Sequence, residues 1–148
     1  MPPRLPDPGT PAYTAQADQF DAAQQHATRQ AVALLHAGAI LVAPTGPWAA
    51  RMLDSVRPVH PGRQTCRHLR DADGPMPMFV IEPGTIRCRP TLDPAERGCA
   101  GCGRVQPGLF PHRAHVAQRG LLVAHARLCF SCSVFEHRAF EHRPEGSR

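Results

Sequence analysis

The sequence predicts an α+β fold in which N-terminal helices precede two small tandem modules organised by cysteine. Three observations predict it. An Ala- and Gln-rich stretch with helical spacing covers residues 15–37. A Pro/Gly-rich linker at 57–65 separates it from every cysteine. The six cysteines then fall into two groups, each bracketing a hairpin-like pattern. A length of 148 residues suits one compact domain or two very small ones. Only 5% of residues are aromatic, and Ala supplies much of the 42% hydrophobic fraction, so the core is thin. Thin cores of this size usually need disulfide or metal staples.

Residues 1–13 read as a disordered Pro-rich lead, and 14–60 as a helical N-terminal region. Phe20, Ala23, Ala27, Ala31 and Leu34 recur at spacings of three and four, which makes one weakly apolar stripe. Gly38 follows the last turn, where a left-handed cap is favourable. Ala39 to Val42 is a short apolar run suited to a strand. The next residues, Ala43-Pro44-Thr45-Gly46, resemble the opening of a helicase-type phosphate loop. Such a loop needs a Lys followed by Ser or Thr to hold phosphate and magnesium. The chain has no Lys, so no nucleotide cofactor is predicted. The segment reads better as a helix start, with Thr45 or Gly46 as N-cap, Pro47 in the first turn and a helix running to about Val56.

All 17 basic residues are Arg, which matches the codon bias of a GC-rich, bacterial genome. The net charge of +5 permits nucleic-acid binding without requiring it. The N-terminus lacks the apolar segment of a secretory signal, and no run of about 18 apolar residues exists. A cytoplasmic protein without a membrane partner is the expectation. In such a reducing compartment, closely paired cysteines favour metal or redox chemistry over disulfides.

Cys99-Ala-Gly-Cys102 and Cys129-Phe-Ser-Cys132 are two C-x-x-C turns, with residues 103–128 between them. Two intervening residues let a tight turn aim both sulfurs at one ion, and Gly101 and Gly103 relieve its backbone. Two such turns complete a tetrahedral four-sulfur site, the geometry of structural Zn2+. Gly103 to Val105 suggests a short strand, Leu121 to Leu128 a half-buried strand, and Ser133 onward a helix with Glu136 at the reciprocal capping position. Knuckle, hairpin and a second pair at a helix start resemble the treble-clef class of zinc fingers over Cys99 to Arg143. A zinc ribbon is the neighbouring alternative if the last segment is strand or coil. Rubredoxin-like iron sites use the same paired turns, but usually carry Gly after both pairs and Pro inside the second. Here Phe130-Ser131 and Ser133 stand at those places, so iron is the minor alternative.

The stretch before this site reads as a shorter copy. Cys66-Arg-His68 stands where the first pair would, and Met78–Glu82 and Thr85–Cys88 flank a Pro83-Gly84 turn. Cys66, His68 and Cys88 then form an incomplete second site with Thr91 at the fourth place. His60, Asp71, Asp73 or water are the remaining fourth ligands, or the site has lost its metal. The tandem modules are thus 66–98, degenerate, and 99–143, complete, with 144–148 as a tail. One Zn2+, or two, is the expected cofactor content.

Nucleic-acid contacts would come from Arg104, Arg113, Arg119, Arg127, Arg138 and Arg143, with Phe110 and Phe130 as stacking groups. A DNA- or RNA-binding or regulatory protein is the first function class. A zinc-stabilised adaptor that binds a protein through its N-terminal helix or its last helix is the second. A metal-dependent hydrolase at an open Cys66/His68/Cys88 site is the third. No Glu stands in a general-base motif beside those ligands, so no enzyme is predicted. The histidines His112, His115, His125, His137 and His142 read as surface or supporting groups rather than ligands.

Overall fold

The computed structural model describes residues 9–56, 78–92, 98–105 and 112–141. The Pro-rich lead up to residue 8, Cys66, His68, residues 93–97, Phe110, Arg143 and the 144–148 tail lie outside them. The elements run α1 (Pro11–His36), β1 (Ile40–Leu41), α2 (Pro47–Asp54), β2 (Met78–Glu82), β3 (Thr85–Arg87), β4 (Arg113–Arg119), β5 (Leu122–Leu128) and α3 (Phe130–Glu141). Among the described residues, three helices and a mixed sheet make an α+β arrangement.

Local chemistry explains most boundaries. Helix α1 starts at Pro11, inside the expected lead, because a proline in the first turn loses no helical hydrogen bond. It ends where Gly38 adopts φ +104. There Gly38 N–H donates to Leu35 O and Ala39 N–H to Leu34 O, both at 3.0 Å, a Schellman closure. Helix α2 begins as expected, with Gly46 as N-cap and Pro47 behind it. At the β2–β3 turn Gly84 has φ +79, and its N–H donates to Ser55 Oγ at 2.8 Å, tying the turn to the end of α2.

The strand order is β1-β4-β5-β2-β3. β4 and β5 pair antiparallel, as do β2 and β3, while β1 runs parallel to β4 and β2 parallel to β5. Neighbouring residues on each strand enter opposite cores, as the two-residue strand period requires. Phe79, Val116 and Val123 pack with Ala27 and Ala31 of α1. Val80, Ala117 and Ala124 pack with Trp48, Met52 and Leu53 of α2. Helix α1 therefore covers one face of the sheet and α2 the other.

This arrangement corrects the expectation of two tandem modules. The hairpin expected to centre the 66–98 module is the end of the same five-stranded sheet, hydrogen-bonded to β5. Its Phe79 and Val80 are both fully buried, on opposite faces. A lone hairpin has no means of covering both faces, so β2 requires both helical layers. Nor does the boundary expected near residue 60 separate two cores. β1 pairs with β4, and α2 shares its core with Cys99 and Cys129. Burying side chains such as Trp48, Met52 and Leu53 contributes about 1.5–3 kcal/mol each.

Helix α3 also differs from expectation. It starts at Phe130 rather than after Ser133, with Ser133 N–H donating to Cys129 O at 2.9 Å. Ser133 therefore sits inside the first turn and its side chain is free for tertiary contact. Ser133 Oγ meets Nε2 of the buried His115 at 2.7 Å, and His115 Nδ1 meets Arg113 O at 2.7 Å. A carbonyl only accepts, so Nδ1 carries the proton and Nε2 accepts from the hydroxyl. Burial pushes the His115 pKa down, which keeps the ring neutral.

Glu136 is not the partner of Ser133 in a capping box. It is buried, 2% exposed, and accepts from Trp48 N–H at the N-terminus of α2. It supplies the cap that Gly46 lacks. Gly46 allows this approach, because a Cβ there would fall 2.1 Å from Glu136 Oε2. Burial raises the Glu136 pKa, against opposing pulls from the Trp48 and Ala49 N–H groups and the Arg51 and His137 charges. The native state thus holds this proton more tightly than the unfolded chain. Its contribution to stability is full below the unfolded value near 4.5 and is lost as pH rises through the raised native value. Glu136→Gln should abolish that component. Denaturant titrations from acid to neutral pH should show the native protein losing stability relative to the variant across this window, whereas a constant difference would refute the buried-carboxyl assignment.

Candidate metal centre

Four sulfurs converge where the knuckle at 99–102 meets the junction of β5 and α3. Those of Cys99, Cys102, Cys129 and Cys132 all lie within 4.8 Å of one another. The knuckle is shaped by its backbone. Cys99 N–H donates to Arg104 O at 3.0 Å, Gly103 N–H donates to Cys99 O at 2.8 Å, and Gly103 has φ +76. Gly98 and Val105 close it with a single antiparallel bridge, which replaces the strand expected at 103–105.

Four hydrogen bonds, two from the end of β5 and the second pair and two from α2, hold the knuckle in place. Ala100 N–H donates to Arg127 O at 2.9 Å, and Cys129 N–H donates to Cys99 Sγ at 3.2 Å. From α2, Arg51 Nη2 donates to Ala100 O at 3.0 Å and Gly101 O at 3.3 Å. Gly101 is needed for close approach. A Cβ there would fall 2.8 Å from Cys132 Sγ.

The electrostatics favour thiolate at Cys99. Cys99 Sγ accepts N–H from Gly101 at 3.3 Å as well as from Cys129, and Cys129 Sγ accepts from Cys132 N–H at 3.5 Å. The last contact places a sulfur in the role of a helix N-cap, at the positive end of α3. Burial pushes the Cys99 thiol up, but backbone N–H groups of Cys129, Cys102 and Gly101 outweigh it and bring it down to about 7. Cys132 moves the other way, raised first by burial and then by the neighbouring Cys129, Cys99 and Cys102 sulfurs. Four sulfurs this close do not all ionise without a cation among them.

The donor set fits a metal ion. Cys102 Sγ and Cys129 Sγ stand 3.8 Å apart. A tetrahedron with metal–sulfur bonds of about 2.3 Å has edges of about 3.8 Å, whereas a disulfide needs about 2.05 Å. Thiolates are soft ligands, and all four positions are filled by protein.

The other residues singled out in the sequence do not gather here. Cys88 is half-buried just after β3, and among the described residues it joins no group of metal-ligating side chains. Arg104, Arg113 and Arg138 are exposed. Arg119 lies at the far end of β4 and pairs with Asp54 at 2.5 Å. Arg113 and Arg127 point to opposite faces of the sheet, because Arg127 pairs in register with Ala114 and not with Arg113. His125 is buried, its Nδ1 2.7 Å from Pro90 O, and burial lowers its pKa. Arg51 and the contact of Glu136 with α2 were not legible as site supports, and His115, read as one of five surface or supporting histidines, had no partner assigned. The available signal was Gly46-Pro47, a helix start with no capping side chain of its own.

Among known protein families, curated proteins and solved structures, none matches the chain. No helix of the described residues is long and apolar enough to cross a membrane.

The glycine at 101 provides a direct check. Gly101→Ala should weaken metal affinity at least about tenfold, the scale on which groups surrounding a metal site act, because Cys132 must shift to admit the methyl. Competition with a chromophoric chelator reads this; unchanged affinity would show that the knuckle does not constrain Cys132.

Proposed function

We propose that this chain is a small zinc-binding protein whose metal is structural and whose role is to present a binding surface, with a protein as the partner. The closed set of four cysteine sulfurs carries the reading. It leaves no coordination position for a substrate, and two of its members, Cys99 and Cys129, belong to the hydrophobic core. The order of knuckle, β4–β5 hairpin and a last pair at the start of α3 supports a treble-clef-like zinc finger with the rest of the sheet built onto it. Zinc is favoured over iron by Phe130-Ser131 and Ser133 in the second turn.

A protein partner is favoured by the exposed apolar groups at the metal end. Val105, Phe130 and Phe135 are 61%, 58% and 63% exposed. Aromatic groups displayed this way are suited to partner pockets. Nucleic-acid binding is the second reading, supported by the net charge of +5 and the exposed Arg104, Arg113 and Arg138. The dispersal of Arg119 and Arg127 counts against a single phosphate-tracking face. No catalysis is proposed.

Elemental analysis of the purified chain should find one zinc per chain. Two would point to a second site at Cys66, His68 and Cys88, and iron would overturn the zinc-finger reading. Cys129→Ser should cost several kcal/mol, since it removes a buried ligand together with the metal's contribution. Unchanged thermal stability would refute the structural role.

Partner class separates by salt. Affinity for mixed-sequence DNA or RNA that falls steeply between 50 and 200 mM salt would establish the second reading. A stoichiometric protein complex that resists salt and is weakened about tenfold or more by Phe135→Ala would establish the first.

A further inference from the structure

The four sulfurs of the metal site are not equivalent. Cys99 is 4% exposed, and the Gly101 and Cys129 N–H groups donate to it, with the Cys102 N–H also turned toward it. Cys129 is 6% exposed and accepts one. Cys132 is half-buried, with the Gly101 backbone packed against its sulfur. Cys102 alone of the four is exposed. Among the described residues no backbone N–H donates to it, and Cys129 Sγ stands 3.8 Å away. It is flanked by Gly101 and Gly103, which have no side chain to shield it, and a Cβ at Gly103 would meet nothing within 4 Å.

Access and thiolate nucleophilicity decide which cysteine reacts. A metal keeps its ligand sulfurs deprotonated at neutral pH. Hydrogen bonds from N–H groups withdraw electron density from Cys99 and Cys129; of the two sulfurs without such a donor among the described residues, Cys102 is the exposed one and Cys132 the half-buried one. We propose that Cys102 is the oxidation-sensitive corner of the site, a metal-bound thiolate that hydrogen peroxide attacks first, with Cys129 as the sulfur that resolves it and frees the metal. This rests on the zinc reading above.

The chemistry balances in two steps. The Cys102 thiolate attacks one peroxide oxygen; an S–O bond forms, the O–O bond breaks, and the departing hydroxide takes a proton to become water. The Cys129 thiolate then attacks the Cys102 sulfur of the sulfenic acid. An S–S bond forms, the S–O bond breaks, and the second hydroxide leaves as water after taking a proton. Two thiolates, one peroxide and two protons thus give one disulfide and two waters. Each sulfur loses one electron and peroxide gains both. The metal keeps only Cys99 and Cys132 and dissociates.

The test uses the full chain as purified with its metal. Limiting iodoacetamide should modify Cys102 about tenfold faster than the other three cluster cysteines, read by peptide mass. Graded hydrogen peroxide should release one zinc to a chromophoric chelator per Cys102–Cys129 disulfide found in the digest. First modification at Cys99, Cys129 or Cys132 would overturn the proposal, as would a disulfide joining another pair. So would metal retained at peroxide levels that oxidise Cys66 and Cys88. A chain without metal would overturn the zinc reading and this proposal together, whereas a metal-loaded chain that reacts elsewhere overturns this proposal alone.

Discussion

The Cys129 N–H donates to Cys99 Sγ across 30 residues of sequence, at a point where both side chains are buried. Around that contact the chain brings two more sulfurs into the same volume, and it does so at the positive end of α3. A cation at the centre would offset the repulsion among four thiolates and join knuckle, strand and helix. Helix α2 completes the circuit. Its Arg51 holds the knuckle carbonyls, and its N-terminus receives the Glu136 carboxyl from α3. Each of the three parts is therefore held by the other two.

That circuit explains how a chain with so few aromatics builds an interior. The sheet is covered by α1 on one face and α2 on the other, and the sulfurs of Cys99 and Cys129 extend the α2-side core rather than sitting apart from it. A metal bound there would form one cooperative unit with the hydrophobic packing, since Cys99 and Cys129 belong to both. Small metal-stapled folds couple metal to folding for this reason.

Four cysteine sulfurs would close the coordination sphere of a metal bound among them. Such a metal would have no place for a substrate atom. The arginines that look like one set in sequence are divided by the sheet, with one on each face at the knuckle end and another engaged by Asp54 at the other end. Large apolar groups are exposed in two places: Phe20, Val32 and Leu41 on α1 and β1, and Val105, Phe130 and Phe135 on or next to the elements that carry the ligands.

Features that depend on neighbours in sequence were legible from the residues. Spacing alone placed all four cysteines in one cluster, because a C-x-x-C turn aims two sulfurs whatever surrounds it. Gly38, Gly84 and the Gly46-Pro47 start were readable because backbone sterics act locally. The polar strand β4 and the merging of both hairpins into one sheet were not, since strand pairing is set by which surfaces find cover. Phe79 and Val80 needed two helical layers, and only the tertiary structure supplied them. The same holds for Ser133 and Glu136. Both carry the local signature of a helix cap, yet the helix starts three residues earlier at a sulfur-capped turn, which leaves the hydroxyl to His115 and the carboxyl to α2. Sequence determined which groups were available for capping and coordination; the packed structure decided which partners they met, because long-range burial outweighs a local hydrogen bond of about 1 kcal/mol.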